Sequence, residues 1–116
     1  MPDSTYELEI RDTDKHYLPD EDASYPAWNV KITKYIFMRI ENDHDEDMVA
    51  TLRGTIEDDE DMTNATPGVL TNEITIVPGG VRYFKSSDKW QRMDLELECP
   101  VTPSAGSVKV HVRRGD

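Results

Sequence analysis

Two acidic runs hold the residues best suited to chemistry, Asp43-His44-Asp45-Glu46-Asp47 and Glu57-Asp58-Asp59-Glu60-Asp61. Alternating carboxylates offer several hard oxygen ligands, the donor set that calcium takes. Asp43, Asp45 and Asp47 are therefore the metal candidates, and weak ones. An EF-hand loop needs a glycine at its sixth position, and Met48 stands there. The intervening strand separates the two runs by roughly 25–30 Å at about 3.3 Å per residue, so they do not form one site within a single copy. Solvated acidic turns with weak, salt-like cation binding are the simpler reading, and no cofactor is expected.

Other constellations carry less. His16, His44 and His111 fall in an extended segment, an acidic turn and an outward strand position, without HxH or HExxH spacing for zinc. Glycoside hydrolysis needs one carboxyl raised in an apolar pocket, whereas these acids crowd on turns or, as Asp94, Glu96 and Glu98, form a solvated or partner-facing stripe. The lone Cys99 has no base near it in sequence and sits on the apolar side of a strand, where cysteine behaves as a small hydrophobe. Trp28 and Trp90, with Tyr83 and Phe84, could line a sugar platform, but a tryptophan packed at the core edge is the simpler reading. Asn64-Ala65-Thr66 matches a glycosylation sequon by pattern alone. No catalytic residues emerge, and an enzyme is not expected.

The elements that must position these residues are strands, because hydrophobicity repeats every second residue almost throughout. Tyr6, Leu8 and Ile10 alternate with Glu7, Glu9 and Arg11; Trp28, Val30 and Ile32 alternate with Asn29, Lys31 and Thr33. Ile36, Met38 and Ile40 oppose Tyr35 and Phe37, which predicts a central strand covered on both sides, or covered by a partner on one. Met48, Ala50, Leu52 and Ile56 define another strand, Ile74 and Ile76 the next, and Val81 and Tyr83 follow a Pro78-Gly79-Gly80 turn. Leu95, Leu97 and Cys99 alternate with acids; Val108, Val110 and Val112 alternate with Lys109, His111 and Arg113. No window shows a helical stripe. Seven or eight strands about ten residues apart predict an all-β antiparallel sandwich, Ig-like or jelly-roll-like.

Two segments depart from this plan. Residues 12–27 hold Tyr17, Tyr25, Pro19 and Pro26 among acids and read as an extended arm, so that residues 1–27 form an N-terminal strand and arm and residues 28–116 the sandwich. In an assembly such an arm lies across a neighbour with its tyrosines as anchors. Residues 57–72 read as a loop of unusual length. Tyr17, Tyr25, Trp28, Tyr35 and Phe37 are the expected partner contacts.

With 24 acids against 13 lysines and arginines, the net charge of −11 disfavours nucleic acid and anionic membrane as partners. The acid excess lies upstream, while Arg82, Lys85, Lys89, Arg92, Lys109, Arg113 and Arg114 make the last third slightly basic. Either the acidic surface serves solubility in high salt, or an acidic end of one copy meets a basic edge of the next. The N-terminal residues lack the pattern of a signal peptide and no apolar run reaches the length of a membrane span, which predicts a protein made in the cytoplasm.

Residues 73–112 run through Ile74-Thr75-Ile76-Val77-Pro78-Gly79-Gly80, Ser86-Ser87-Asp88-Lys89-Trp90, Leu95-Glu96-Leu97 and Pro103-Ser104-Ala105-Gly106-Ser107-Val108. This order resembles small β-sandwich accessory proteins of tailed viruses. The resemblance, with the acidic bias, implies a virion structural protein of a virus infecting a halophilic archaeon: a capsid decoration or turret subunit, homo-oligomeric, docked on other virion proteins of capsid or tail. The alternative is an adhesion or carbohydrate-binding module using Trp90 and calcium in the acidic loops.

Overall fold

The computed structural model describes residues 3–18, 28–29, 35–55, 68–86 and 92–115, with backbone only at 3, 28, 29, 55, 68–72 and 92. Among them are β1 (Asp3–Leu8), β2 (Lys15–Leu18), β3 (Trp28–Asn29), β4 (Tyr35–Asn42), β5 (Met48–Thr55), β6 (Gly68–Ile76), β7 (Val81–Ser86), β8 (Arg92–Glu98) and β9 (Val108–Gly115). Every pairing is antiparallel, as two-residue periodicity with one buried face requires.

The order of pairing defines the topology. The chain forms a long ribbon in which β1 pairs β9, β2 and β3 pair β8, β4 pairs β7 and β5 pairs β6. Rolling the ribbon sets β4 beside β9 and β5 beside β8. The result is one sheet in the order β1-β9-β4-β7 and a second in the order β2-β8-β5-β6, with β3 alongside β8. That is the double-sheet jelly roll, and it resolves the expected choice between Ig-like and jelly-roll-like.

Leu8, Ile36, Met38, Ile40, Phe84, Val108, Val110 and Val112 of the first sheet pack against Leu18, Met48, Ala50, Leu52, Ile76, Met93, Leu95 and Leu97 of the second. On β4, β5, β8 and β9 the inward parity is the one read from the sequence, with Cys99 buried beside them, whereas on β7 Phe84 is inward and Val81 and Tyr83 are exposed.

Two boundaries move. The N-terminal segment is not a separate arm as far as it is described, because β1 and β2 belong to the two sheets. Likewise the loop expected over residues 57–72 is strand from Gly68 onward, since β6 continues past a register shift in which Leu52 faces Asn72 and Gly54 faces Gly68. Residues 19–27 and 57–67 lie outside the described residues.

Candidate functional site

The outer face of the four-stranded sheet is built by cross-strand register. Phe37 on β4 lies between Lys85 on β7 and Arg113 on β9, while Arg39 lies between Tyr83 and His111. Rings and cations therefore alternate across three strands. The Phe37 and Tyr83 rings stand 5.7 Å apart between centroids and tilt by 40°, an aromatic pair exposed at 37% and 57%. Hydrogen bonding to Tyr83, with the Glu41 carboxylate 2.5 Å away, holds the Arg39 guanidinium above its ordinary range. The Thr5 hydroxyl contacts His111 Nδ1 at 3.2 Å. Lys109 is flanked by Glu7 and Glu41, and Arg113 faces Asp3 across β1, while Lys85 lies beside Phe37 on β7.

Two shallow depressions share Phe37 and Arg113. One, of about 350 Å³, is lined by Ser4, Thr5, Phe37, Arg39, His111 and Arg113; the other, of about 310 Å³, by Tyr35, Phe37, Lys85 and Arg113. Both are open hollows on a sheet face. Tyr35 is half-buried because its ring lies over Gly115, its cross-strand partner, where any side chain would collide with the ring. Of the expected contact residues, Tyr35 and Phe37 thus come together on this face. Trp28 is described only as backbone in β3, and Tyr25 lies outside the described residues.

Tyr17 is placed differently from expectation. Alternation along β2 turns His16 and Leu18 inward and Tyr17 onto the outer face of the second sheet, where the Arg53 guanidinium sits 4.7 Å from its ring centre. Arg53 in turn grips Asp94 through two hydrogen bonds, 2.7 Å from Nε and 2.5 Å from a terminal nitrogen. Glu96 lies 3.8 Å from Arg53 and 3.5 Å from Lys15. The stripe Asp94, Glu96, Glu98 is therefore not simply solvated, for the Asp94 side chain is only 4% exposed. Burial raises its carboxyl above the ordinary value despite Arg53, while the bonds to Asp94 keep Arg53 charged.

In the run 43–47, expected to be a solvated acidic turn, Asp43, Asp45 and Asp47 are exposed, but the end of the sandwich that it forms with the turns around 77–80 and 99–107 is also knitted by polar side chains. The Asn42 amide donates to the carbonyls of Glu46 (2.9 Å) and Ile76 (2.8 Å), and its backbone exchanges hydrogen bonds with Gly79 and Gly80. His44 is buried at 1% exposure, and its Nε2 accepts the Ile10 N–H at 3.0 Å. The proton must then sit on Nδ1, which donates to Asn42 Oδ1 at 3.1 Å. Burial first, and the Arg11 charge second, push the imidazole below its ordinary value. The signal was available: Asn42 and His44 continue the inward parity of Ile36, Met38 and Ile40.

Asp45 accepts from the Ser104 N–H, the Ser104 hydroxyl and the Ala105 N–H, which lowers its carboxyl. Among the described residues no group of three or more His, Cys, Asp or Glu converges as metal ligands. Asp43, Asp45 and Asp47 are thus not brought into one site, because the central carboxylate braces the neighbouring turn. The proposed sugar platform also divides: Phe84 is in the core and Tyr83 on the opposite face, and the side chains of Trp28 and Trp90 are not described.

No known protein family matches this chain by sequence, and no curated protein does. Among solved structures it is similar to a protein of Bacillus endospore appendages, described as a novel family of disulfide-linked pili. The TM-score is 0.51 at 8% identity, covering 99% of this chain and 87% of that one. At that identity the likeness speaks to the β fold.

Proposed function

We propose that this chain is a non-enzymatic structural subunit that docks into a repeating assembly through the outer face of its four-stranded sheet. The observation that carries the reading is the exposed Phe37–Tyr83 pair set among Arg39, Lys85, His111 and Arg113 on a chain of net charge −11. Aromatic and arginine side chains clustered at the centre of a patch have the composition of an interface centre. The groups best suited to catalysis are tied into the scaffold instead: His44 holds Ile10, Asp45 holds Ser104, and Asp94 holds Arg53. Because Cys99 is buried, copies associate without a disulfide. Many copies, each burying a modest area, gain strength through multivalency.

In its finer form the reading is the virion one, a decoration or turret subunit on the capsid or tail lattice of a tailed virus of a halophilic archaeon. Its supports are the resemblance over residues 73–112, the acidic composition and the use of jelly rolls in viral capsids. A gene lying within a block of capsid and tail genes is the expected finding for that form.

Light scattering of the full chain over a concentration series tests the coarser reading. Oligomers that Phe37→Ser/Tyr83→Ser abolishes, with melting temperature retained, are expected. A chain that stays monomeric at every concentration and binds immobilised glycans through these rings would overturn it in favour of the adhesion module.

A further inference from the structure

The charge of the docking face asks for an acidic occupant, and the molecule carries one. At the braced end of the sandwich, Val77 and Val101 are exposed at 58% and 57%. Beside them a hollow of about 190 Å³ is lined by Asp45, Glu46, Asp47, Pro78, Pro100 and Val101. Asp47 is exposed at it, and Asp43 is exposed in the same turn. This end is therefore an apolar knob with an acidic rim, the complement of the face, which has rings at its centre and cations around them.

We propose, on the reading above, that the occupant of the four-stranded face is the loop end of a second copy. Val77 and Val101 would pack on Phe37 and Tyr83, with Asp43 and Asp47 toward Lys85 and Arg113. Opposite charge steers the two surfaces together and penalises face-to-face or end-to-end pairing. The bonds of Asn42, His44 and Asp45 hold the loop end in shape beforehand, so docking orders little that is not already ordered. The two surfaces lie on different parts of one molecule, so the contact is heterologous. Each docked copy presents a free surface of the other kind, and growth continues into a ring or filament.

The experiment uses two variants of the full chain and sedimentation velocity. Phe37→Ser/Tyr83→Ser removes the face, and Val77→Lys/Val101→Lys replaces the apolar contacts of the loop end with two charges of the same sign as Lys85 and Arg113. All four positions are exposed, so melting temperatures should stay near the parent's. Each variant alone is expected to be monomeric where the parent forms long species. Their equimolar mixture should stop at a 1:1 dimer, because each supplies one intact surface. Raising the salt from about 0.1 M to 1 M, where the screening length falls to about 3 Å, should slow parental association at least about tenfold, while the packing of valines on rings keeps the assembled species together. If the face variant is monomeric but the loop variant assembles like the parent, the loop end is not the occupant, and the docking face stands. A parent that never associates, or two variants that both assemble, would remove the docking face as well.

Discussion

His44 offers the sharpest test of how the loop end is held. His44→Ala removes the acceptor of the Ile10 N–H, a buried donor with a bond of 3.0 Å. Leaving a buried donor without a partner costs about 1–3 kcal/mol. Asn42 Oδ1 keeps the His44 backbone N–H at 3.1 Å, so it adds no orphaned acceptor. The space vacated by the ring adds roughly a further 1 kcal/mol by the cost of an unfilled core cavity. The sum is about 2–4 kcal/mol, or a fall in melting temperature on the order of 10 °C for a domain of this size.

The wild type carries a pH signature that the variant lacks. Because burial depresses the folded imidazole below its ordinary 6.5, the unfolded chain takes up the proton first as pH falls. Stability is therefore complete above that value and declines below it, by at most about 1.4 kcal/mol per pH unit, levelling once the folded group also protonates. Urea unfolding at steps between pH 7.5 and 5 measures this. His44→Ala should be less stable at pH 7.5 yet flatter across the range, and His44→Gln, which retains an acceptor, should recover part of the stability without the slope. A flat wild type, or a His44→Ala slope equal to the wild type's, would refute the assignment of a neutral, buried His44.

Three further outcomes follow from the same geometry. Arg53→Ala strands the buried Asp94 carboxylate and should cost about 3 kcal/mol in chemical unfolding, whereas Arg53→Met/Asp94→Leu should recover most of it; equal losses would mean the pair is not coupled. Gly106 has a φ of +91° and packs against the Asp43 carbonyl, so Gly106→Ala should cost more than about 2 kcal/mol and loosen the braced end, seen as faster amide exchange at Asp43 and Asp45. Burial pushes the Cys99 thiol up to about 11, so a thiol reagent at pH 8 should label the native protein only as fast as it unfolds, and immediate labelling would contradict the core placement.

Much of the fold was legible because a strand's two faces are set locally. Leu95, Leu97 and Cys99, or Val108, Val110 and Val112, reveal their inward side by alternation alone, and all six are buried. The same rule extended four residues further would have turned Asn42 and His44 inward, but an acidic run of five masked it. Charge in a run looks solvated until its hydrogen-bond partners are known, and Ile10, Ser104 and Ala105 are not neighbours in sequence. Tyr17 looked like an anchor in an arm for a similar reason, since four residues between acids and prolines show too little alternation to declare β2.

The opening candidates for chemistry, Asp43, Asp45 and Asp47, mark the division. Residue types, the parity of each strand and the acid excess are properties of the chain itself, because the pleat repeats every two residues and charge simply adds. Which residues become neighbours across strands is decided by rolling the ribbon. Thr5 meets His111 across 106 positions, and Phe37 meets both Lys85 and Arg113 only because β4 is clasped between β7 and β9. A shift of one residue in either register would send those side chains to the core, so the burial of Met38, Val112 and Phe84 is what holds rings and cations together on the outside.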